Sequence, residues 1–287
     1  MMRTTTKLRK LLEAGTTVVA PGVYDGLTAR LVEKAGFPAS YVSGGAVARG
    51  CGIPDLGLVS LAESAARLEQ IVDVTTIPVI ADADNGYGNA LNAQRTAHAF
   101  ERAGIAAFHL EDQTFPKRCG HYADKSVVPV AEMVGKLKAV RDALHDPDFV
   151  VIARTDAIAV EGFDAAIERC HAYMEAGADV AFLDAPTSEA QITEIVRRLP
   201  GWKLINMFQG GKTPLLPVAR LQELGFQIVI IPSDLQRAAI KAMQRTLQAI
   251  ARDGSSARII ADLAPFEERE ALVATAEFIE RGRRYGG

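Results

Sequence analysis

Short runs of apolar and β-branched residues alternate along the chain with longer stretches whose apolar positions recur at helical spacing. Eight such runs predict strands at Thr17–Tyr24, Ala39–Ser43, Pro78–Asp84, Ala106–Asp112, Phe149–Asp156, Val180–Ala185, Lys203–Phe208 and Gln227–Ser233. The segments between them, such as Ala131–Leu144 and Asp164–Glu175, carry ordinary helix start and stop signals. A phrase "AGF", "AGI", "AGA" or "LGF" begins at Ala35, Ala103, Ala176 and Leu224, each time just ahead of a strand, where a helix ending on a glycine cap would enter it. Repeated strand–helix units build a parallel sheet, and eight of them close into a (β/α)8, or TIM, barrel of the α/β class.

Two stretches exceed what such a barrel needs. The connection from Gln113 to Pro129 is about 17 residues long, holds Pro116, Gly120 and four Lys, Arg or His, and stands against the roughly 2 to 6 residues of an ordinary barrel loop. It is expected to be a lid, with an idle surface excursion as the alternative. After Ser233 one helix is expected to about Ala251 and a second, amphipathic one from about Glu267 to Arg284. The domain reading is therefore a single barrel domain over 1–287, with its core at about 15–253 and a helical tail at about 254–287 that packs on the barrel or on a neighbouring subunit.

Composition narrows the class. Of 287 residues, 48% are hydrophobic and 23% charged, which leaves ample material for a core. The net charge is −3 with both signs interspersed, so no basic stripe offers itself to nucleic acid. No apolar run approaches the ~20 residues of a membrane span, and Met1–Leu12 lacks the apolar core of a secretory signal, so a cytoplasmic protein is expected. Cys51, Cys119 and Cys170 form no CxxC pair and read as thiols of a reducing compartment.

Barrel enzymes place their chemistry at the C-terminal strand ends. Strand three ends in "ADADNGYG" and strand four in "HLEDQ", bringing Asp82, Asp84, Glu111 and Asp112 to one mouth. Residues two apart on a strand share a face, so Asp82 and Asp84 are expected to project together. Converging carboxylates repel unless a cation lies among them, and all-oxygen ligation favours Mg2+ or Mn2+; the lack of an HxxxH or Cys/His cluster argues against zinc. Capping of the following helices is the alternative role for these acids. In "IARTDA", Arg154 sits within an apolar strand and needs an anionic partner, either one of the acids or a substrate carboxylate. "YVSGGA" offers Ser43, Gly44 and Gly45, whose amides could approach an oxyanion or simply make a tight turn. In "PKRCGH", Cys119 has cationic neighbours Lys117, Arg118 and His121, which favour a thiolate, making it a candidate acid, base or nucleophile or else a surface thiol amid solvated charge.

Taken together, "ADADNGYGN", "LEDQ", "PKRCGH", "IARTDA" and "NMFQGGKTP" resemble the isocitrate lyase/phosphoenolpyruvate mutase superfamily, from about Pro21 to Leu247. The resemblance implies a metal holding the 2-oxo and carboxylate oxygens of a pyruvate or glyoxylate unit, with Asp55, Asp82, Asp84 and Glu111 at matching positions and Asp84 the most direct ligand. It implies that Ser43, Gly44 and Gly45 hold the carboxylate and oxo group, that Arg154 faces the rest of the substrate, and that the loop with Lys117, Gly120 and His121 closes over it. The Lys-Arg-Cys-Gly-His loop resembles that of carbon–carbon lyases, in which the cysteine protonates the carbanion-like fragment, and Lys117, His121, Arg154 and Tyr41 join it as catalytic candidates, with Tyr41 or a metal-held water as the base. Asn206 and the Gly210–Thr213 segment resemble the branch that cleaves 2-alkylmalates, the 2,3-dimethylmalate lyases and petal death proteins. Tyr122 replaces an Arg of the methylisocitrate lyases, Asp184 stands where many lyase relatives carry Glu, and Pro232 lies near a position at which oxaloacetate-hydrolysing relatives differ.

The expected activity is therefore cleavage of a 2-hydroxy dicarboxylate of the 2-alkylmalate type to a 2-oxo acid such as pyruvate and a carboxylate, with methylisocitrate next in order. An oxaloacetate decarboxylase or hydrolase and a phosphonopyruvate mutase or hydrolase are the alternatives. The implied partners are a small di- or tricarboxylate and further copies of the chain, in a homotetramer (a dimer of dimers) with exchanged C-terminal helices.

Overall fold

The structure, a computed structural model, describes residues 2–117 and 125–286. Eight strands, β1 Val18–Val23, β2 Ser40–Val42, β3 Val79–Asp82, β4 Ala107–Glu111, β5 Val150–Thr155, β6 Val180–Leu183, β7 Trp202–Asn206 and β8 Ile228–Ile231, close into one barrel in sequence order. All neighbours are parallel, and β8 returns to β1 through Val18↔Ile228 to Pro21↔Ile231. Each overlaps the strand expected from the sequence, usually with its polar end trimmed into the following loop.

Among the described residues, twelve helices accompany it: α1 Thr4–Glu13, α2 Gly26–Lys34, α3 Gly44–Gly50, α4 Leu61–Val72, α5 Ala90–Arg102, α6 Val130–Ala143, α7 Phe163–Glu175, α8 Glu189–Arg198, α9 Val218–Leu224, α10 Asp234–Asp253, α11 Phe266–Leu272 and α12 Thr275–Arg284. Reciprocal capping boxes, Asp25 with Thr28, Ser60 with Glu63 and Asn89 with Asn92, satisfy the first free amides of α2, α4 and α5. The glycines of the recurring phrase, Gly36, Gly104, Gly177 and Gly225, have φ of 83°, 84°, 107° and 103°, the left-handed exit the sequence called for.

Because side chains alternate along a strand, each strand sends one set of residues outward to the helices and one inward. Phe108, Leu110, Val151 and Ala153 face the helix layer, whereas Ile80, Ile152, Phe182, Leu204 and Ile228 fill the barrel. α1, which the polar start of the chain did not suggest, closes the barrel floor by inserting Leu8 and Leu12 into that interior cluster. Arg9 anchors it to Asp179 at 3.0 Å. One step nearer the C-terminal ends, the inward positions turn from apolar to polar and mostly ionisable: Ile80 gives way to Asp82, Ile152 to Arg154 and Leu204 to Asn206.

The tail differs in detail from the expectation. The amphipathic segment at Glu267–Arg284 is broken into α11 and α12 at Ala274, a left-handed residue with φ 56°. Neither Gly nor Pro marks the break; Thr275 donates to Glu270 across it at 2.8 Å. Neither helix buries a residue. Among the described residues, no helix is long and apolar enough to cross a membrane.

The barrel closes most tightly at its mouth where β1 meets the end of β8. A Cβ at Gly22 would lie 2.1 Å from the Pro232 carbonyl oxygen, a backbone atom with no rotamer to retreat to. Gly22→Ala is expected to cost about 2–3 kcal/mol. Urea unfolding measures it, and an unchanged midpoint would show that this contact yields freely.

Candidate active site

The ionisable inward layer forms the site. Asp82 ends β3 in register with His109, and Glu111 ends β4 in register with Arg154 on β5. Asp84 reaches the same place by a different route from the one expected. It lies past the strand with φ 47°, so a left-handed turn, not the pleat, carries it back towards Asp82, whose Oδ1 accepts from the Asp84 amide at 3.0 Å. The Asp84 carbonyl in turn accepts from the Glu111 amide at 2.9 Å, which ties the two strand ends together.

The β2–α3 turn approaches these acids closely because it lacks side chains. The Gly44 amide donates to Asp82 Oδ2 at 3.2 Å, and a Cβ on Gly44 would stand 2.8 Å from that oxygen. A Cβ on Gly45 would stand 2.8 Å from Asp55 Oδ2. Ser43 caps α3, its Oγ accepting from the Ala46 amide at 3.2 Å. The pair of glycines thus makes both a turn and a backbone approach to carboxylates.

Three cations answer the acids. Lys117 Nζ lies 2.5 Å from Asp55 and 2.7 Å from Asp84. Arg154 is shared among Glu111 at 3.4 Å, Asp156 at 2.9 Å and Asp184 at 3.2 Å, and Lys125 reaches Asp156 at 2.7 Å. Asp184, one methylene shorter than a glutamate, still meets Arg154 directly.

Burial and proximity set the charges. Burial pushes Asp84 up to about 6, with Lys117 opposing and Asp82 reinforcing the rise, whereas His109, Lys117 and Arg154 overcome burial to hold Asp82 at about 2. Burial also raises Glu111 well above the ordinary range despite Arg154. Lys117 would lose its proton to burial but is held well above its usual value by Asp84, Asp82, Asp55 and Glu111. Tyr41, raised by burial and by Asp82, stays protonated and shares a 2.8 Å hydrogen bond with His109 Nε2; burial lowers His109 to about 4, so the ring is neutral.

Asp112, expected at the mouth, faces the other way. It accepts from Thr155 Oγ1 at 2.7 Å, the Asp156 amide at 2.9 Å and the Tyr173 hydroxyl at 2.8 Å, and it pairs with Arg169. Following the inward Glu111, it falls on the outward face by strand alternation, where it positions Asp156. Arg169 also donates to the Val128 carbonyl at 2.9 Å, holding the end of the long connection. That connection starts as a short antiparallel stem through Gln113↔Val127. Its segment 118–124, with the expected Cys119, Gly120 and His121, lies outside the described residues.

A cavity of about 290 Å³ opens between these groups, small enough to suit a compact organic acid. Of the expected residues, Tyr41, Ser43, Gly45, Asp55, Asp82, Glu111, Lys117, Arg154, Asp184, Asn206 and Pro232 line it. Gly44 and Asp84 line a smaller recess that shares Asp55 and Asp82 with it, and Thr213 is buried but lines neither. Arg49, Phe208, Gln236, Arg237 and Ile240 also line the cavity and escaped the sequence reading. Gln236, Arg237 and Ile240 follow β8 on α10, and the rule that barrel sites use every strand end was the one signal for them.

A hard cation fits this donor set. All the candidate ligands are carboxylate oxygens, and Glu111 Oε1 is buried without a hydrogen-bond partner among the described residues. Asp82, Asp84 and Glu111 do not draw together into a compact three-oxygen cage. That openness suits an ion that keeps several waters and takes only one or two carboxylates directly.

Comparison with known proteins agrees with the geometry. The family model for phosphoenolpyruvate phosphomutase matches residues 8–251. The chain is 42% identical over 285 residues to 2,3-dimethylmalate lyase of Eubacterium barkeri, covering 99% of each chain, and 42% identical over 274 residues to 2-methylisocitrate lyase of Aeropyrum pernix, covering 96% of this chain and 88% of that one. A crystal structure of 2,3-dimethylmalate lyase superposes with a TM-score of 0.94 at 37% identity, covering 100% of this chain and 97% of the other. Oxaloacetate acetylhydrolase bound to 3,3-difluorooxalacetate gives 0.93 at 34% identity, covering 99% and 97%. Phosphonopyruvate hydrolase bound to oxalate and Mg2+ gives 0.91 at 32% identity, covering 99% of each. With the family model spanning most of the barrel and lyase relatives aligning end to end, the chain belongs to the phosphoenolpyruvate mutase/isocitrate lyase superfamily.

Proposed function

We propose that the protein is a Mg2+- or Mn2+-dependent carbon–carbon lyase that cleaves a 2-alkylmalate, with 2,3-dimethylmalate as its type substrate. The observation that carries this reading is the end-to-end likeness to 2,3-dimethylmalate lyase over a site whose cavity joins acids and cations to an apolar wall of Phe208, Pro232 and Ile240. Alkyl groups of the substrate would lie against that wall. Arg49 and Arg237 at the rim could take its second carboxylate, since Arg154 is already shared among three acids.

Asp84, Asp82 and Glu111, with Asp55 behind Lys117, would hold the cation, which supplies Lewis-acid stabilisation of negative charge developing on substrate oxygen. The C2 hydroxyl loses its proton, the C2 oxygen closes to a carbonyl, and the C2–C3 bond breaks with its electron pair passing to C3. A cavity water takes the hydroxyl proton, or Tyr41 does so while passing its own proton to the neutral His109 with which it shares a hydrogen bond. Cys119 delivers a proton to C3, an assignment that rests on its loop sequence. For 2,3-dimethylmalate the products are pyruvate and propanoate. Asn206, through its amide N–H, and Ser43, through its hydroxyl, orient the substrate carboxylate end.

The assembly is proposed to be a tetramer in which the tail helices cross between copies. Leu235, Met243, Leu247 and Ile250 on α10 and Phe266, Phe278 and Ile279 beyond it are exposed, more apolar surface than a lone subunit ordinarily leaves in water. Unpaired Cys51 and Cys170 accord with a cytoplasmic setting.

Incubation with 2,3-dimethylmalate, methylisocitrate, oxaloacetate or phosphonopyruvate and Mg2+ tests the activity. Pyruvate and propanoate from the first, at a higher kcat/KM than any product from the others, is the expected result; oxalate and acetate from oxaloacetate at the higher rate would replace it with hydrolase action. Cys119→Ala is expected to lower kcat by 10²-fold or more, roughly the scale of a lost general acid, with Mg2+ affinity unchanged; a wild-type kcat would remove the cysteine from the reaction. Asp84 must shed its proton to bind the ion, so below about pH 6 Mg2+ affinity should fall about tenfold per unit, levelling off once the carboxyl is ionised. Calorimetric titration from acid to neutral pH measures this, and a flat profile would exclude Asp84 as a ligand. In sedimentation, Met243→Glu with Leu247→Glu should convert a tetramer to smaller species; a wild-type monomer would end the assembly proposal.

A further inference from the structure

The opposite end of the barrel carries a second constellation of metal-binding side chains. His98 and Glu101, three apart on the last turns of α5, share a helix face, and His145 from the α6–β5 connection comes to meet them. One ligand atom from each of the three lies within 4.8 Å of the others. Glu101 Oε2 is 3.1 Å from His145 Nδ1, and the two imidazole rings are 5.5 Å apart between centroids, tilted by 38°. Two-histidine, one-carboxylate sets bind Zn2+ or Co2+ with bonds of about 2.0–2.2 Å, which places tetrahedral ligand atoms roughly 3.3–3.5 Å from one another. The Glu101–His145 pair is already near that spacing, and His98 offers a ring nitrogen within 4.8 Å of both.

Glu101 is held ready for the role. Its Oε1 accepts from the His145 amide at 2.8 Å and the Asp146 amide at 2.7 Å, leaving Oε2 to face the imidazoles. Burial works to raise this carboxyl, but the hydrogen bonds from Asp146 and His145 prevail and hold it below its usual value. A ligand carboxylate braced through its second oxygen is the outer-shell arrangement that orients metal sites.

We propose that His98, Glu101 and His145 form a structural site for a borderline transition metal, Zn2+ above all, on the N-terminal face of the barrel and separate from the hard-cation site at its mouth. The imidazoles decide the class of ion, since Mg2+ and Ca2+ prefer oxygen throughout. The ion would staple the end of α5 to the segment that enters β5, a segment already tied to α1 by the Arg3–Asp146 ion pair at 3.1 Å. At the floor of a TIM barrel its effect falls on stability and not on catalysis. The two-histidine set could not be read from the sequence, because 47 positions separate His98 from His145 and only the packing of α5 against α6 joins them.

Equilibrium dialysis against Zn2+ in excess Mg2+, and Co2+ titration read by visible absorption, test the site. The wild type should bind one equivalent of Zn2+ and give the intense bands of four-coordinate Co2+, distinct from the weak bands of an all-oxygen site. His98→Asn should weaken that binding at least tenfold while leaving Mg2+-dependent turnover unchanged. Glu101→Gln keeps an oxygen acceptor for the two backbone amides, so it should lose the metal and retain the fold. Zn2+ uptake and Co2+ bands unchanged in both variants, or no uptake by the wild type, would overturn the proposal.

Discussion

Like charges buried at one end of a closed sheet are the constraint on which the site depends. Two unit charges 4 Å apart interact by about 4 kcal/mol at an effective dielectric near 20, a large share of what holds a domain folded. Asp55, Asp82, Asp84 and Glu111 cannot share the mouth as bare anions. Strand geometry alone supplies Arg154; the other cations arrive on the long connection, Lys117 from its first half and Lys125 from its second. The two ends of that connection are thus drawn to the acids of different strands, one to Asp55 and Asp84, the other to Asp156. Its placement is electrostatic as much as steric.

This arrangement suits the divalent ion proposed for the site. Asp84 and Glu111 are pushed up by burial while Asp82 is pulled down by its cationic neighbours, so adjacent carboxyls differ widely in their readiness to ionise. Added positive charge relieves the cost of ionising the raised pair. An enzyme that must accept an anionic substrate needs that relief, because each incoming carboxylate would otherwise worsen the repulsion.

Much of the architecture was legible because parallel strands announce themselves as apolar runs and the inward, top-layer residue of each can be counted off in steps of two. That rule found Asp82, Glu111 and Arg154, whereas Asn206 came from the family resemblance. It misplaced Asp112, which the same alternation sends outward once Glu111 is fixed inward, and it gave the right location for Asp84 by the wrong route, since a left-handed residue interrupts the pleat. α1 went unseen because its polar residues outnumber the two leucines, Leu8 and Leu12, that do its packing. Lys125, Arg49 and Arg237 carry no local signal at all; their relevance arises only when the barrel closes and brings distant segments to one rim.

The two ends of the barrel divide the work. At the floor, cations and hydroxyls gather on shared carboxylates: Arg141 and Arg9 both meet Asp179, and Arg3 and Thr5 both meet Asp146. At the mouth the sharing runs the other way, with three acids on Arg154 and two on Lys117, so that neither of these cations is committed to a single partner. A cation that holds several acids can release one of them without being orphaned, whereas a floor cation that lost its carboxylate would bear the desolvation penalty of an unpaired charge. The mouth is therefore less economical as a stabilising network than the floor, and for that reason better suited to exchanging ligands without loosening the barrel beneath it.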